Sequence, residues 1–241
     1  PEPVRKSPVS SPYVRGLFSG GTLAYETLLG LQASLSPIYS NAPITNDQLL
    51  KDPLKSEAHT IIDLGDEFFM VGRLHPMIDN DLRIRRIKQE AADTEVGMIL
   101  LDVVLGEGSH MDPARELAPV IKETRDSRPE IEFVAIVIGT DEDPQNLETQ
   151  IETLKETGTI VFRTAAEAVE YISLRFSNHA QNAYPPVNLE QLNQPLAAIN
   201  VGLESFYESL TSQGAQAVHV EWRPPAGGNE RLAALLQKMK K

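Results

Sequence analysis

The sequence contains no cysteine, and this absence removes a group of mechanisms before any motif is considered. Without thiols the chain cannot form a disulfide, use a cysteine nucleophile or build a cysteine-based zinc site. It also lacks an uninterrupted apolar run near the roughly 20 residues that a membrane helix needs. Nothing at its start resembles a signal peptide. From these absences we expect a cytoplasmic protein without a membrane partner.

Positive charge is scarce as well. The chain has 22 Lys and Arg residues against 34 Asp and Glu residues, which gives a formal net charge of −12. Proteins that bind nucleic acids or anionic membranes in general carry a basic surface, so we expect neither partner here. The 241 residues, of which 41% are hydrophobic, are enough for one large domain or two small ones.

Five apolar runs dominate the chain up to residue 177, and each is followed by a polar turn and a helical pattern. The runs are VRGLF, TIIDLG, MILLDVVLG, EFVAIVIG and TIVFR. Nearly continuous Ile, Val, Leu and Phe in strands that alternate with amphipathic helices is typical of a parallel sheet covered on both faces. The pattern predicts an α/β fold with a doubly wound, flavodoxin-like parallel sheet over residues 13–177.

Two segments rich in Pro, Ser or Asn flank this predicted domain, and we interpret residues 1–12 and 178–195 as linkers. Residues 196–241 predict a small βαβ unit followed by a terminal helix, NERLAALLQKMKK. A unit of this size cannot bury a core by itself. We expect it to pack on the main domain, on a partner, or on an N-terminal half that the opening linker suggests is missing.

The turn SGGT lies between the first predicted strand and the first predicted helix. In doubly wound sheets ligands bind outside the carboxyl ends of the strands, where this turn would lie. Glycines allow close approach of the backbone, and the N–H groups of the first helical turn attract anions. The turn has neither the Lys of a P-loop nor G-x-G-x-x-G spacing. A plain tight turn with Thr22 as N-cap is equally compatible with these residues.

The loops after the next two strands add further polar candidates. They are Arg73 and His75 in the second loop, and Glu107, Gly108, Ser109 and His110 in the third. His75 precedes a proline and could serve only to start a helix, whereas Ser109 and Asp112 lie where an N-cap is expected. We nevertheless predict that Ser19–Thr22, Arg73, His75 and Glu107–His110 converge at one edge of the sheet.

Three charged features have structural interpretations. Asp102 lies inside an apolar strand and needs a partner, for which a backbone group or an Arg is more common than a catalytic role. The basic cluster RIRRIK, Arg83–Lys88, is interpreted as a solvent-exposed helix face. Asp141 and Asp143 are interpreted as acids at the start of a helix, where the helix dipole favours them. No spacing of ligands predicts a metal site.

Several long motifs together resemble one family. RGLFSGGTLAYE, DLGDEFFMVGRLHPMID, LLDVVLGEGSHMDP and INVGLESFYESLTSQGAQAVHVEWRPPAGG resemble the FdrA family, acyl-CoA-synthetase-like proteins related to the α subunit of succinyl-CoA synthetase. The resemblance runs from about Tyr13 to Gly228. Family members are longer and have an N-terminal Rossmann-like half, so the resemblance implies that this chain corresponds to the C-terminal half.

The resemblance implies roles for the loop residues. The counterpart of SGGT in the succinyl-CoA synthetase relatives lies beside the site that handles phosphate. The residues that would bind a phosphate or carboxylate are Ser19, Gly20, Gly21, Thr22, Arg73, Gly108 and Ser109. Glu107 inherits the position of a glutamate that approaches the phosphohistidine of those ligases, and His75 or His110 would transfer protons.

The relatives carry that phosphohistidine in a loop which here reads IGTDEDPQNLE and contains no histidine. Its three successive acids would repel an incoming phosphoryl group. We therefore expect no phosphohistidine at the usual position.

The resemblance implies a subunit of a carbamoyltransferase in ureide, purine and allantoin breakdown. Such an enzyme would act on carbamoyl phosphate and oxamate or oxalurate within a hetero-oligomer, with no cofactor established. One alternative is an acid–CoA ligase that uses CoA and an acyl-CoA, with its phosphoryl acceptor moved to His110. Another is a non-catalytic scaffold, in which the motif around Trp222 would dock partner subunits.

Overall fold

The computed structural model describes residues 11–176 and 195–222, and the chain divides into two units after Asn182. The first unit contains β1 (Tyr13–Phe18), α1 (Gly21–Leu31), β2 (Ile38–Ser40), a short 3₁₀ turn (Asn46–Gln48), β3 (His59–Asp63), α2 (Glu67–Met70), α3 (Asp81–Ala91), β4 (Val96–Val104), α4 (Pro113–Ser127), β5 (Glu132–Ile138), α5 (Leu147–Glu156), β6 (Ile160–Phe162) and α6 (Ala165–Phe176). No helix in the described ranges is long and apolar enough to cross a membrane.

The strands form one six-stranded sheet in the order β2-β3-β1-β4-β5-β6, and every pairing is parallel. The five strands predicted from the apolar runs have the flavodoxin-like order, so the predicted fold class is confirmed. The edge strand β2 was not predicted, because its three residues are too few to show a period. The chain reverses its direction of strand addition at β1, so a crevice is expected between the carboxyl ends of β1 and β4.

Two apolar cores cover the two faces of the sheet. On one face the helices α3, α4 and α5 pack on a cluster that includes Ile99, Leu101 and Val103. On the other face α1 and α6 pack on a cluster that includes Met98 and Leu100. Successive residues of β4 therefore enter opposite cores, which is why its sequence is continuously apolar and not alternating.

The helix α3 corrects one sequence-based interpretation, because its basic cluster is not a solvent-exposed face. Arg83 and Arg86 are buried, whereas Arg85 between them is exposed and pairs with Asp81. Arg86 binds Glu90 one turn later, with 2.6 Å between Nε and Oε1. The long arginine side chains are buried because each finds a carboxylate or a carbonyl inside the unit.

The second unit contains β7 (Ala197–Asn200), α7 (Glu204–Ser212) and β8 (Gln216–His219), with the two strands parallel. This is the predicted small βαβ unit. No residue of α7 is fully buried, and Ile199 and Val218 are 74% and 62% exposed. The predicted terminal helix, residues 229–241, lies outside the described residues, as do residues 1–10 and 177–194 of the predicted linkers.

Candidate functional site

The turn after β1 is held in place by a carboxylate from the neighbouring strand β4. The backbone N–H of Ser19 donates to Oδ1 of Asp102 at 2.8 Å, and the Ser19 hydroxyl donates to Oδ2 at 2.5 Å. Both residues are 1% exposed. Because its hydroxyl proton is committed to Asp102, Ser19 orients the turn and does not present a free hydroxyl donor to a ligand.

Asp102 in turn binds Arg83 of α3, with 3.0 Å between Oδ1 and Nη2. Burial lowers the pKa of Arg83, while the negative charges of Asp102 and Glu116 act to raise it. Arg83 also donates to the backbone carbonyl oxygen of Asp102. The buried Asp102 carboxylate therefore has both kinds of partner that its position in an apolar strand suggests, the guanidinium of Arg83 and the backbone N–H of Ser19.

The first turn of α1 presents backbone donors that have no acceptor among the described residues. They are the N–H groups of Gly21, Thr22 and Leu23, and Gly20, the N-cap, has no side chain that could bind them. Thr22 is inside the helix, so its interpretation as the N-cap is wrong. The start of α4 is different, because Asp112 accepts from the N–H of Arg115. Unsatisfied donors at a helix start are suited to an anion.

A carboxylate missed by the sequence analysis lies beside these donors. Asp63 ends β3, and its Oδ1 accepts from the N–H of Gly65 at 2.8 Å. Its Oδ2 would lie only 2.9 Å from a Cβ built on Gly21, so a side chain there would displace it. Burial is the main cause that raises the pKa of Asp63; Asp66 and Asp102 also raise it, whereas the Gly65 N–H and His75 lower it.

His75 lies against the same turn. Its Nδ1 accepts from the N–H of Met77 at 3.2 Å, which places the proton of the neutral ring on Nε2. A Cβ atom built on Gly65 would lie 2.9 Å from that Nε2 and 2.6 Å from the carbonyl oxygen of Ser19. Only glycine therefore fits between His75 and the turn. Among the described residues Nε2 has no hydrogen-bond partner, so it is free to meet a ligand.

His110 is occupied at both ring nitrogens. Its Nδ1 accepts from the N–H of Asp112 at 3.0 Å, and its Nε2 lies 3.2 Å from Oε2 of Glu116. The same Glu116 oxygen accepts from the side chain of Asn80, which also binds Arg83. His110 is therefore a member of the network that supports Asp102.

The remaining predicted residues lie on exposed loops at the same edge of the sheet, since all strands are parallel. The side chains of Arg73 and Glu107 are exposed and make no hydrogen bond or ion pair with other described residues, and Gly108 is exposed as well. The N–H of Ser109 donates to Gly106 and closes a turn. These contacts place His75 against the Ser19–Thr22 turn. No contact among the described residues places the side chain of Arg73 or Glu107 against it.

The acidic loop after β5 does not begin a helix. Asp143 accepts from the N–H of Thr140 at 2.6 Å and folds the loop on itself. The N-cap of α5 is Asn146, so the interpretation of Asp141 and Asp143 as acids at the start of that helix is wrong. Among residues 11–176 and 195–222 no three His, Asp or Glu side chains are grouped so that they could hold a metal ion.

Comparisons with known proteins identify the family of this chain. The CoA-ligase family model matches residues 17–174, from the end of β1 to α6, and the chain belongs to this family. Over 154 residues the chain is 42% identical to YahF, an uncharacterized protein of Escherichia coli strain K12. The match covers 62% of this chain and 30% of YahF, so the chain spans well under two thirds of that relative.

We expect Asp63→Asn to raise the free energy of unfolding at neutral pH. Because the pKa of Asp63 is raised in the folded state, the fold favours the protonated carboxyl, and its ionisation as pH rises costs stability. Asparagine keeps the acceptor for Gly65 without the charge. Urea unfolding of both proteins at pH 3 and pH 7 measures the effect.

The difference between the two proteins should be smaller at pH 3 than at pH 7. Asp81→Asn, at an exposed ion pair on α3, serves as the control and should change stability by less than about 1 kcal/mol. A variant Asp63→Asn that is less stable than the parent at pH 7 would contradict the prediction.

Proposed function

We propose that this chain is an FdrA-type member of the CoA-ligase family and part of a carbamoyltransferase that binds small anions at the start of α1. The observation that carries the proposal is the set of open N–H donors at Gly21, Thr22 and Leu23 beside the free Nε2 of His75. The resemblance of the loops to FdrA proteins supplies the substrate class: carbamoyl phosphate with oxamate or oxalurate. Purine and ureide breakdown is the corresponding setting.

The proposed chemistry assigns one task to each group. A phosphate oxygen attacks the carbamoyl carbon of oxalurate, the bond from that carbon to the amide nitrogen breaks, and carbamoyl phosphate and oxamate are released. The α1 donors hold the phosphate. The Nε2–H of the neutral His75 ring donates a hydrogen bond to the carbamoyl oxygen on which negative charge develops, while the proton of the attacking phosphate passes to the departing nitrogen. Asp63 accepts a hydrogen bond from the carbamoyl NH₂ group, which favours an amide over a plain carboxylate.

The same geometry disfavours a ligase with a phosphoryl acceptor at His110. A phosphohistidine needs a free ring nitrogen, and both nitrogens of His110 have partners. A scaffold role is favoured by a different observation, the 64% exposure of Trp222 at the end of the described second unit. Both alternatives predict that transfer from oxalurate to phosphate does not depend on His75.

The test uses the full-length protein with its partner subunits, oxalurate and inorganic phosphate, without CoA or nucleoside triphosphate. We expect oxamate and carbamoyl phosphate to form, and His75→Ala to lower kcat by about 100-fold or more, as expected for loss of a hydrogen-bond donor to developing charge. His110→Ala is the matched control and should keep most of the activity. Activity that requires CoA, or equal losses in the two variants, would contradict the proposal.

We further expect no phosphohistidine when the full-length protein is incubated with γ-labelled ATP and quenched in alkali. The loop that carries the acceptor in succinyl-CoA synthetase relatives holds Asp141, Glu142 and Asp143 here, which repel a triphosphate. Stoichiometric label that survives base and is absent from His110→Ala would instead restore the ligase.

A further inference from the structure

Asp102 and Arg83 form a buried ion pair at the crevice between β1 and β4. The two side chains are 1% and 2% exposed. Arg83 reaches both strands, because its Nη2 lies 3.5 Å from the carbonyl oxygen of Leu17 in β1 and also donates to the backbone of Asp102 in β4. The pair therefore ties together the two strands whose loops build the candidate site.

Asp102 accepts the hydrogen bonds that Ser19 donates from this turn. Gly20 has no atom within 4 Å of the position where a side chain would begin. Within Ser19–Thr22, Ser19 makes the side-chain hydrogen bond, and both of its donors go to Asp102. Three donors thus converge on one carboxylate: the N–H and the hydroxyl of Ser19, and the guanidinium of Arg83. An amide in place of Asp102 could not accept all three, since it has a single acceptor oxygen.

We propose that Asp102 and Arg83 are positioning residues for the anion site: Asp102 sets the direction of the α1 donors through Ser19, and Arg83 holds Asp102. The proposal rests on the proposed function for the identity of the site. Neither side chain touches the ligand. Their effect on binding passes through the orientation of the Gly21 and Thr22 N–H groups.

The opposite end of the sheet supplies a matched control. Arg15 of β1 binds Glu90 of α3, with 2.8 Å between Nε and Oε2 and side-chain exposures of 2% and 4%, and Glu90 also binds Arg86. This pair has the same burial and also joins β1 to α3, but it lies at the amino end of β1, away from the turn. If Asp102→Asn acts only through the loss of a buried charge pair, Asp102→Asn and Glu90→Gln should weaken phosphate binding to a similar extent.

The test follows inorganic phosphate binding and amide hydrogen exchange by NMR on the isotopically labelled chain. Phosphate should shift the Gly20, Gly21 and Thr22 amides of the parent. Asp102→Asn should weaken phosphate binding by at least about tenfold and speed exchange at the Ser19 amide, as expected for loss of hydrogen bonds to a charged group. Glu90→Gln should bind phosphate within about twofold of the parent.

Two further variants keep the proposal testable if Asp102→Asn fails to fold. Ser19→Ala removes only the hydroxyl bond and should weaken phosphate binding while the Ser19 amide stays protected. Arg83→Lys should retain more phosphate binding than Arg83→Met, because it keeps the charge beside Asp102. Equal losses of phosphate binding in Asp102→Asn and Glu90→Gln, or a Ser19 amide that exchanges as in the parent, would overturn the positioning role.

The proposed function can fail separately. If the parent binds no phosphate but Asp102→Asn still speeds hydrogen exchange at the Ser19 amide, the anion site is refuted. The positioning of the turn by Asp102 then stands.

Discussion

Replacing Arg83 with methionine is expected to lower the free energy of unfolding by about 3–5 kcal/mol, because it leaves a buried carboxylate without its countercharge. Asp102 is 1% exposed and would keep only the two Ser19 donors. The loss also removes the guanidinium bonds to Asn80 and to the backbone of β4. Urea unfolding at pH 7, followed by far-ultraviolet circular dichroism, measures the change.

Arg85→Met, on the same helix, is the matched control. Arg85 pairs with Asp81 at 2.8 Å, but both side chains are more than half exposed, so the change should stay below about 1 kcal/mol. The double variant Arg83→Met/Asp102→Leu should recover part of the loss, because it removes the unpaired buried carboxylate but leaves the two Ser19 donors without an acceptor. Similar unfolding midpoints for Arg83→Met and Arg85→Met would contradict this account.

Acid should destabilise the protein through His59. Its ring is 7% exposed and packs edge-on against the rings of Tyr13 and Phe176, with centroids 5.5 and 5.8 Å away. Nδ1 accepts from the N–H of Val14 at 3.2 Å. Burial, and then repulsion by Arg15, lower the pKa of His59 from 6.5 to about 4. The fold therefore favours the neutral ring.

The sign of the pH dependence follows from that shift. Well above pH 6.5 His59 is neutral in both states and contributes no pH dependence. As pH falls from about 6.5 to about 4 the unfolded chain takes up the proton first, and the loss of stability reaches about 3 kcal/mol. His59→Gln, which keeps an acceptor for Val14, should remove this part of the acid sensitivity.

Urea unfolding of the parent and of His59→Gln at pH 7 and pH 4 measures the His59 contribution, since the carboxyl groups shared by both proteins affect both alike. Equal stability losses in the parent and His59→Gln between these two pH values would contradict the prediction.

How far the site could be predicted depends on the residue. Arg83 and Arg85 differ by two positions in one basic run, and the buried face of α3 comprises Arg83, Arg86, Ile87 and Glu90. Because that face is mostly charged, hydrophobic periodicity does not reveal it. The sequence signal for Asp63 was available, a carboxylate near the end of an apolar run and two residues before a glycine, but its position beside Gly21 depends on the pairing of β3 with β1.

The choice between His75 and His110 also required the structure. Both residues follow a strand and stand two positions before the backbone N–H that binds their Nδ1. Their sequence contexts are therefore alike. They differ at Nε2, where His110 meets Glu116 and His75 faces Gly65 and the turn, and those partners belong to separate elements.

The sequence by itself determined five of the six strands, the doubly wound order and the end of the sheet where the polar loops gather. These features follow from signals local in the chain, because a parallel strand buried on both faces must be continuously apolar and its loops must lie at its ends. Only the tertiary structure decided which polar groups have hydrogen-bond partners inside the first unit and which have none among the described residues. Hydrogen-bond partners such as Ser19 and Asp102 lie 83 residues apart, and nothing local in the chain encodes that pairing.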